Sequence, residues 1–304
     1  MPVDHLQPKE YIQSSARDNK NFSDADALEY TRWLATHHYE NFHVVSFLLP
    51  RNLHQDFYNV YAFCRWADDL GDEIGDPQES LRLLAWWRSE LESMYRGQSS
   101  HPVFVALGDT VAKYRIPIEP FDRLIRAFEQ DQTVSRYQDF NDLFAYCENS
   151  ANPVGHLVLY LCGYRDAERQ ALSDATCTAL QLANFWQDVT VDMAKDRVYL
   201  PLDLLARHGY TVEELFARKC NSAFCAAMAE AVDIAEDLFR RGLPLIATVD
   251  RRLSVDLELF SRGGMKVLQK IRVEEYNVLK QRPSLSKAER LGILLQCIRR
   301  LLPF

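Results

Sequence analysis

Gln181-Leu-Ala-Asn184-Phe-Trp-Gln-Asp188-Val-Thr-Val-Asp192 sets Asn184, Asp188 and Asp192 at successive intervals of four residues. On an α-helix that interval stacks the three side chains in one row, with Gln181 just ahead of them. Leu180, Leu182, Ala183, Phe185, Trp186, Val189 and Val191 occupy most of the remaining circumference. A helix that is apolar nearly all round is normally buried. Ionised carboxylates in such a setting cost several kcal/mol each unless they are paired or bind metal. The row therefore faces cations or a polar cavity, or else it is the solvated face of an amphipathic helix.

A second acid stripe lies upstream in Tyr61-Ala-Phe-Cys-Arg65-Trp-Ala-Asp68-Asp69-Leu-Gly-Asp72-Glu73. Asp68 and Asp72 share a helical face, Asp69 sits beside them, and Arg65 lies within one turn of Asp68 and Asp69. Working outward, helical spacing runs through almost the whole chain. Helices are predicted over 27–39, 55–73, 79–96, 102–114, 120–130, 137–147, 153–162, 173–192, 211–219 and 224–243, with two more near the end. Prolines and glycines fall between them, and alternating strands, repeats and low-complexity linkers are absent. The expected architecture is all-α, with helices around a central cavity. Residues 1–22 read as a loose, flexible leader and 23–304 as a single α-helical domain.

Composition narrows the functional classes. A formal net charge of −8 argues against a nucleic-acid surface. An acidic protein that binds an anion needs metal ions or clustered arginines. Carboxylates on two helices suit Mg²⁺, a hard cation that is shared with substrate phosphates. The seven cysteines are scattered without a C-x-x-C pair and read as buried, reduced thiols of a cytoplasmic protein. The N-terminus lacks the apolar core of a signal peptide, and no stretch reaches the ~18 apolar residues of a membrane span. The terminal 293–304 segment is short, apolar and basic. It is either a last helix packed on the core or a peripheral contact with a membrane surface.

The two stripes, followed by Arg197-Val-Tyr199-Leu-Pro201, resemble the squalene/phytoene synthase family from about residue 25 to residue 285. The resemblance implies an isoprenoid (terpenoid) synthase fold in which two aspartate motifs hold Mg²⁺ against a prenyl diphosphate. Asp68, Asp69, Asp72, Asp188 and Asp192 would then be catalytic metal ligands, joined by Asn184, with about two or three ions bridging the diphosphate. Gln181 and Asn184 would line the mouth, and Arg65 and Arg197 would bind diphosphate. His38, Phe42, Tyr61, Asn152, Gly155 and Tyr199 complete the expected substrate-binding set, with Tyr146 as a further catalytic candidate. Tyr61 and Tyr146 either present π faces to a carbocation or simply pack in the core.

Departures from the family pattern point within it. His38-Tyr39-Glu40-Asn41-Phe42 carries Glu40 where the family has lysine, and Tyr146-Cys147 leads to Asn152-Pro153 where a small apolar wall is usual. Both changes look like the hydroxysqualene synthase branch of bacterial hopanoid biosynthesis. That branch ionises presqualene diphosphate and lets water, without NADPH, capture the rearranged cation. The closest rival is head-to-head condensation of two farnesyl diphosphates to presqualene diphosphate or squalene. A terpene cyclase shares the acid pattern but not the His38–Phe42 and Arg197–Pro201 stretches. A non-catalytic binding or assembly protein on the same fold is the rival from another class. Transient contact with other squalene-pathway enzymes is also implied. Arg262-Gly263-Gly264 reads either as room for substrate or as a helix cap.

Overall fold

A computed structural model of the chain describes residues 6–13, 22–37 and 50–298. The expected contacts of His38, Glu40 and Phe42, and the basic end beyond Ile298, lie outside the described residues. Among the described residues there is no β-strand, only an isolated parallel bridge between Arg136 and Val198. The fold is all-α, as the periodicity predicts. Where the sequence reading takes 23–304 as one domain, contacts gather the chain into two compact units. One is Met1–Thr133 with His156–Arg165, and the other is Val134–Gly155 with Asp166–Phe304.

The first unit contains α1 (Pro8–Gln13), α2 (Asp24–His37), α3 (His54–Asp72), α4 (Pro77–Tyr95), α5 (Pro102–Tyr114) and α6 (Glu119–Gln130). Helix α3 is its axis. Phe63 and Trp66 of α3 meet Trp87 of α4, with Trp66 and Trp87 stacked at 5.0 Å and 10°. Phe104 and Phe121 close on Phe63 edge-on. The start of α3 is fixed by polar contacts instead. Asp56 accepts from Thr110 Oγ1 (2.9 Å), Lys113 Nζ (2.7 Å) and Tyr114 OH (2.9 Å), while Asn59 donates to Ala106 O at 3.0 Å. Helix α1 corrects the flexible-leader expectation for residues 8–13, because Tyr11 is buried against Trp66 and His101. A six-residue helix is too short to show periodicity, so its one anchoring aromatic left no pattern to read.

The second unit is built on α9 (Ala167–Gln187), preceded by α7 (Phe140–Ser150) and the start of α8 (Asn152–Leu161). After it come α10 (Val189–Ala194), α11 (Leu202–Arg207), α12 (Val212–Phe216), α13 (Ser222–Gly242), α14 (Arg251–Val273) and α15 (Lys287–Ile298). Small residues let these helices approach closely. A Cβ on Gly242 would meet the Thr176 backbone nitrogen at 2.9 Å, and one on Gly155 would meet Cys177 Sγ at 2.6 Å. Trp186 fixes the far end of α9, donating from Nε1 to Ala231 O at 3.0 Å. Helix α15 packs on α14, with Cys297 buried and Lys270 bound to Glu289 at 2.9 Å.

Candidate active site

The first stripe occupies the last turns of α3. Arg65 reaches Asp68 at 3.1 Å and also pairs with Asp69 one turn on. The three acids differ in exposure: Asp69 is buried, Asp68 is 42% exposed at its side chain, and Asp72 ends the helix in solvent. Burial pushes the Asp69 carboxyl up to about 6, even though the Arg65 charge opposes the rise. Asp68 and Asp72 therefore offer oxygens outward while Asp69 anchors the arginine. Tyr61, a turn before Arg65, is half-buried on the same helix.

The second stripe is not one straight helix, which corrects the expected 173–192 element. Helix α9 ends at Gln187, Asp188 leaves helical geometry at φ −103° and ψ 14°, and α10 begins at Val189. The backbone still connects the row: Asp188 N–H donates to Asn184 O and Asp192 N–H to Asp188 O, both at 2.9 Å. Asn184 is exposed, while Gln181, Asp188 and Asp192 are half-buried. Arg282 grips the Asp188 carboxylate with two nitrogens, Nη2 at 3.1 Å and Nε closer still. Gln187 ties the same loop by donating to Pro283 O.

Beyond α10 the chain turns at Asp196, which adopts a left-handed φ of 54°. Arg136 pairs with Asp196, and Arg197 N–H returns to Asp192 O at 2.9 Å. Val198 N–H then donates to Ser135 O at 2.9 Å, which lays Tyr199 flat on Phe185 at 3.7 Å and 6°. Tyr137 and Tyr146 complete the group at 5.7 and 6.0 Å from Tyr199. Asp192, Arg197, Tyr199 and Phe185 line one small cavity. The structure thus brings the second and third sequence motifs together beside an aromatic wall.

Other expected residues have specific local roles. Asn152 opens α8, is buried, and accepts from Thr178 Oγ1 at 2.9 Å. Pro153 falls in the first turn of α8, where its missing N–H breaks no bond. Gly155 serves the close approach of α8 to α9. Gly263 and Gly264 sit mid-helix in α14, so they are not a cap. The space beside Gly264 is filled by Phe239 and by Leu180 Cδ2 at 3.0 Å, whereas the space beside Gly263 is open. Arg282 and Tyr137 were missed by sequence reasoning. Arg282 had only its place before Pro283 to mark it, and Tyr137 reads as one more core aromatic.

The donor chemistry of the stripes fits Mg²⁺: carboxylate and amide oxygens, with no His or Cys among them. Among the described residues, no three His, Cys, Asp or Glu side chains gather into a group able to hold a metal alone. Completing the shell with water and substrate phosphate is the manner in which Mg²⁺ is usually held. Among the described residues, too, no helix is long and apolar enough to cross a membrane.

The helical fold and the paired aspartate motifs define an isoprenoid synthase. The family model for squalene/phytoene synthase matches residues 35–289. A phytoene synthase of Thermus thermophilus is 32% identical over 259 residues, covering 84% of this chain and 87% of its own length. The 15-cis-phytoene synthase of Synechococcus elongatus is 29% identical over 71% of this chain and 74% of its own length. Among solved structures, squalene synthase HpnC of Alicyclobacillus acidocaldarius is 44% identical, with a TM-score of 0.81 over 84% of this chain and 96% of that one. A dehydrosqualene synthase shares the fold at a TM-score of 0.81 and 23% identity, over 91% and 97% of the two chains. The chain belongs to the squalene/phytoene synthase family, an enzyme family of head-to-head isoprenoid chemistry on prenyl diphosphates.

Proposed function

We propose that this protein is a hydroxysqualene synthase, a carbon–oxygen lyase that ionises presqualene diphosphate and lets water capture the rearranged cation. The observation that carries this reading is the polar Asn152 fixed by Thr178 within the unit that holds the Tyr137–Tyr146–Phe185–Tyr199 group. Its support from comparison is the 44% identity to squalene synthase HpnC, well above that to the phytoene synthases.

Asp68, Asp69 and Asp72 of the first stripe, and Asn184, Asp188 and Asp192 of the second, would hold Mg²⁺. Bound there, Mg²⁺ would draw charge off the departing diphosphate. Arg65 and Arg282 each neutralise an acid stripe in the absence of substrate, and both turn to diphosphate oxygens when it binds. Arg197, beside Asp192, is a third cation for the same anion. The aromatic faces then stabilise the positive charge left behind. Thr178 takes one lone pair of Asn152 Oδ1, which leaves a second lone pair there, with the amide N–H groups, to orient a water. Water capture consumes no hydride, so the reaction proceeds without NADPH.

Head-to-head condensation of two farnesyl diphosphates is the second reading, favoured by the relatives named phytoene synthase. Product analysis by gas chromatography–mass spectrometry separates the two. With Mg²⁺ and no NADPH, presqualene diphosphate yields hydroxysqualene and farnesyl diphosphate is left untouched. Turnover of farnesyl diphosphate alone would overturn the assignment.

A further inference from the structure

Five of the seven cysteines are half-buried or buried within helices, and burial pushes Cys64, Cys147 and Cys177 up to about 12, 12 and 11. Cys220 is different. It is exposed, it precedes the N-cap of α13, and its sulfur lies 3.8 Å from that of Cys225. Asn221 is that N-cap, accepting from Phe224 N–H at 2.9 Å, so Cys220 stands at the position before the cap and Cys225 at the fourth residue of the helix. Those two positions normally carry the apolar pair that fixes the chain's entry angle into a helix. Here both members are thiols, and the helix start itself brings them together.

The approach to Cys220 is held as well. Lys219 N–H donates to Glu214 O at 3.0 Å, and Tyr210 OH donates to Lys219 O at 2.9 Å. Arg218 turns the chain just before, with a left-handed φ of 52°. The sulfurs need to close by roughly 1.8 Å to reach bonding distance, a movement within the scope of side-chain rotation.

We propose that Cys220 and Cys225 are a modification site, an oxidisable thiol pair that peroxide converts to an intrachain disulfide stapling the N-terminus of α13. Sulfur of exposed Cys220 attacks the peroxide O–O bond, giving a sulfenic acid and releasing one water. Cys225 sulfur then displaces the sulfenic oxygen, forming S–S and releasing a second water. Two thiols lose two electrons, and hydrogen peroxide accepts them. A thiol-disulfide reductant reverses the bond by exchange. Partial desolvation, with the contact to Cys225, holds the Cys220 thiol up to about 11, so the first step is slow at neutral pH.

Full-length protein treated with hydrogen peroxide and digested with trypsin tests this directly. Cleavage after Lys219 and Arg240 leaves both cysteines in one peptide, Cys220–Arg240. Its mass falls by ~2 Da, the loss of two hydrogens, with fragment ions placing the change between the two cysteines, and dithiothreitol restores it. Thiol titration in denaturant falls from seven free groups to five in parallel. A Cys225→Ser variant cannot form the bond, so its Cys220 advances to sulfinic acid or links two chains. Peroxide that adds oxygen to wild-type Cys220 without that loss of mass, or that consumes a different pair of thiols first, overturns the proposal.

Discussion

In the first unit the acid stripe ends an unbroken 19-residue helix, α3, whose arginine partner lies three and four residues away on the same helix. In the second the row crosses a helix break at Asp188, and its arginine comes from a loop 94 residues later in the chain. Arg65 is therefore part of a local, partly buried pair, whereas Arg282 is a long-range, more exposed clamp. The same charge motif is built from neighbours on one helix in the first unit and from distant parts of the chain in the second. The units also bury opposite ionisable groups. Burial alone pushes His101 of the first unit down to about 3, whereas burial, aided by the Asp250 charge, raises Asp256 of the second to about 8.

The largest expected effect concerns what the stripes share. Asp68→Asn and Asp188→Asn should each lower turnover of presqualene diphosphate by roughly 10³-fold, in line with removal of a principal electrostatic stabiliser. Steady-state rates on folded variants measure it, and a variant keeping most of its rate would break the symmetry between stripes. The arginines should separate where the acids do not. Arg65→Ala leaves buried Asp69 uncompensated and should cost about 3–5 kcal/mol in urea unfolding. Arg282→Ala removes a 46%-exposed partner, so it should cost under ~1 kcal/mol of stability while raising KM.

Packing gives a smaller contrast. Gly242→Ala drives a methyl against the Thr176 backbone and should cost about 1–3 kcal/mol. Gly71→Ala in α3 meets only the Phe128 side chain, at 3.1 Å, and should cost less than ~1 kcal/mol. Thermal melts of the two variants decide this.

The pH dependence sharpens the comparison most finely. His101 binds its proton more readily unfolded, so its contribution is present above about pH 6.5 and is lost as pH falls toward 3. Asp256 retains its proton when folded. Its contribution is present below the ordinary carboxyl value near 4 and is lost as pH rises through about 8. Each slope is on the order of 1 kcal/mol per pH unit. Asp256→Asn should flatten the alkaline side of the stability profile and leave the acid side unchanged. A wild-type slope that survives in Asp256→Asn would refute that assignment.

Much of this was legible beforehand. Helix periodicity and prolines located most elements, because burial of one helical face imposes a repeat that composition cannot hide. The two stripes were visible because carboxylates among apolar neighbours demand a compensating charge, and Arg197–Pro201 through its resemblance to the family pattern that follows them. Arg282 was invisible for the converse reason: an isolated arginine in a loop acquires meaning only from what it meets in space. The break at Asp188 was equally hidden, since the i to i+4 spacing persists through it and only the backbone angles register the interruption. Tyr11 lacked enough neighbours to make a pattern. The expectation that all seven cysteines are interior thiols failed at Cys220, which a capping contact places at the surface.

The Trp66–Trp87 stack has an optical consequence. Two indoles 5.0 Å apart and nearly parallel couple their transition dipoles, so their circular dichroism is a joint property of the pair. Four of the five tryptophans, Trp33, Trp66, Trp86 and Trp87, belong to the first unit, and Trp186 alone belongs to the second. Replacing the four with phenylalanine makes Trp186 a solitary emitter for the second unit. The coupled indole signal of the wild type follows the first. The molecule thus carries a separate spectroscopic channel for each half of its fold.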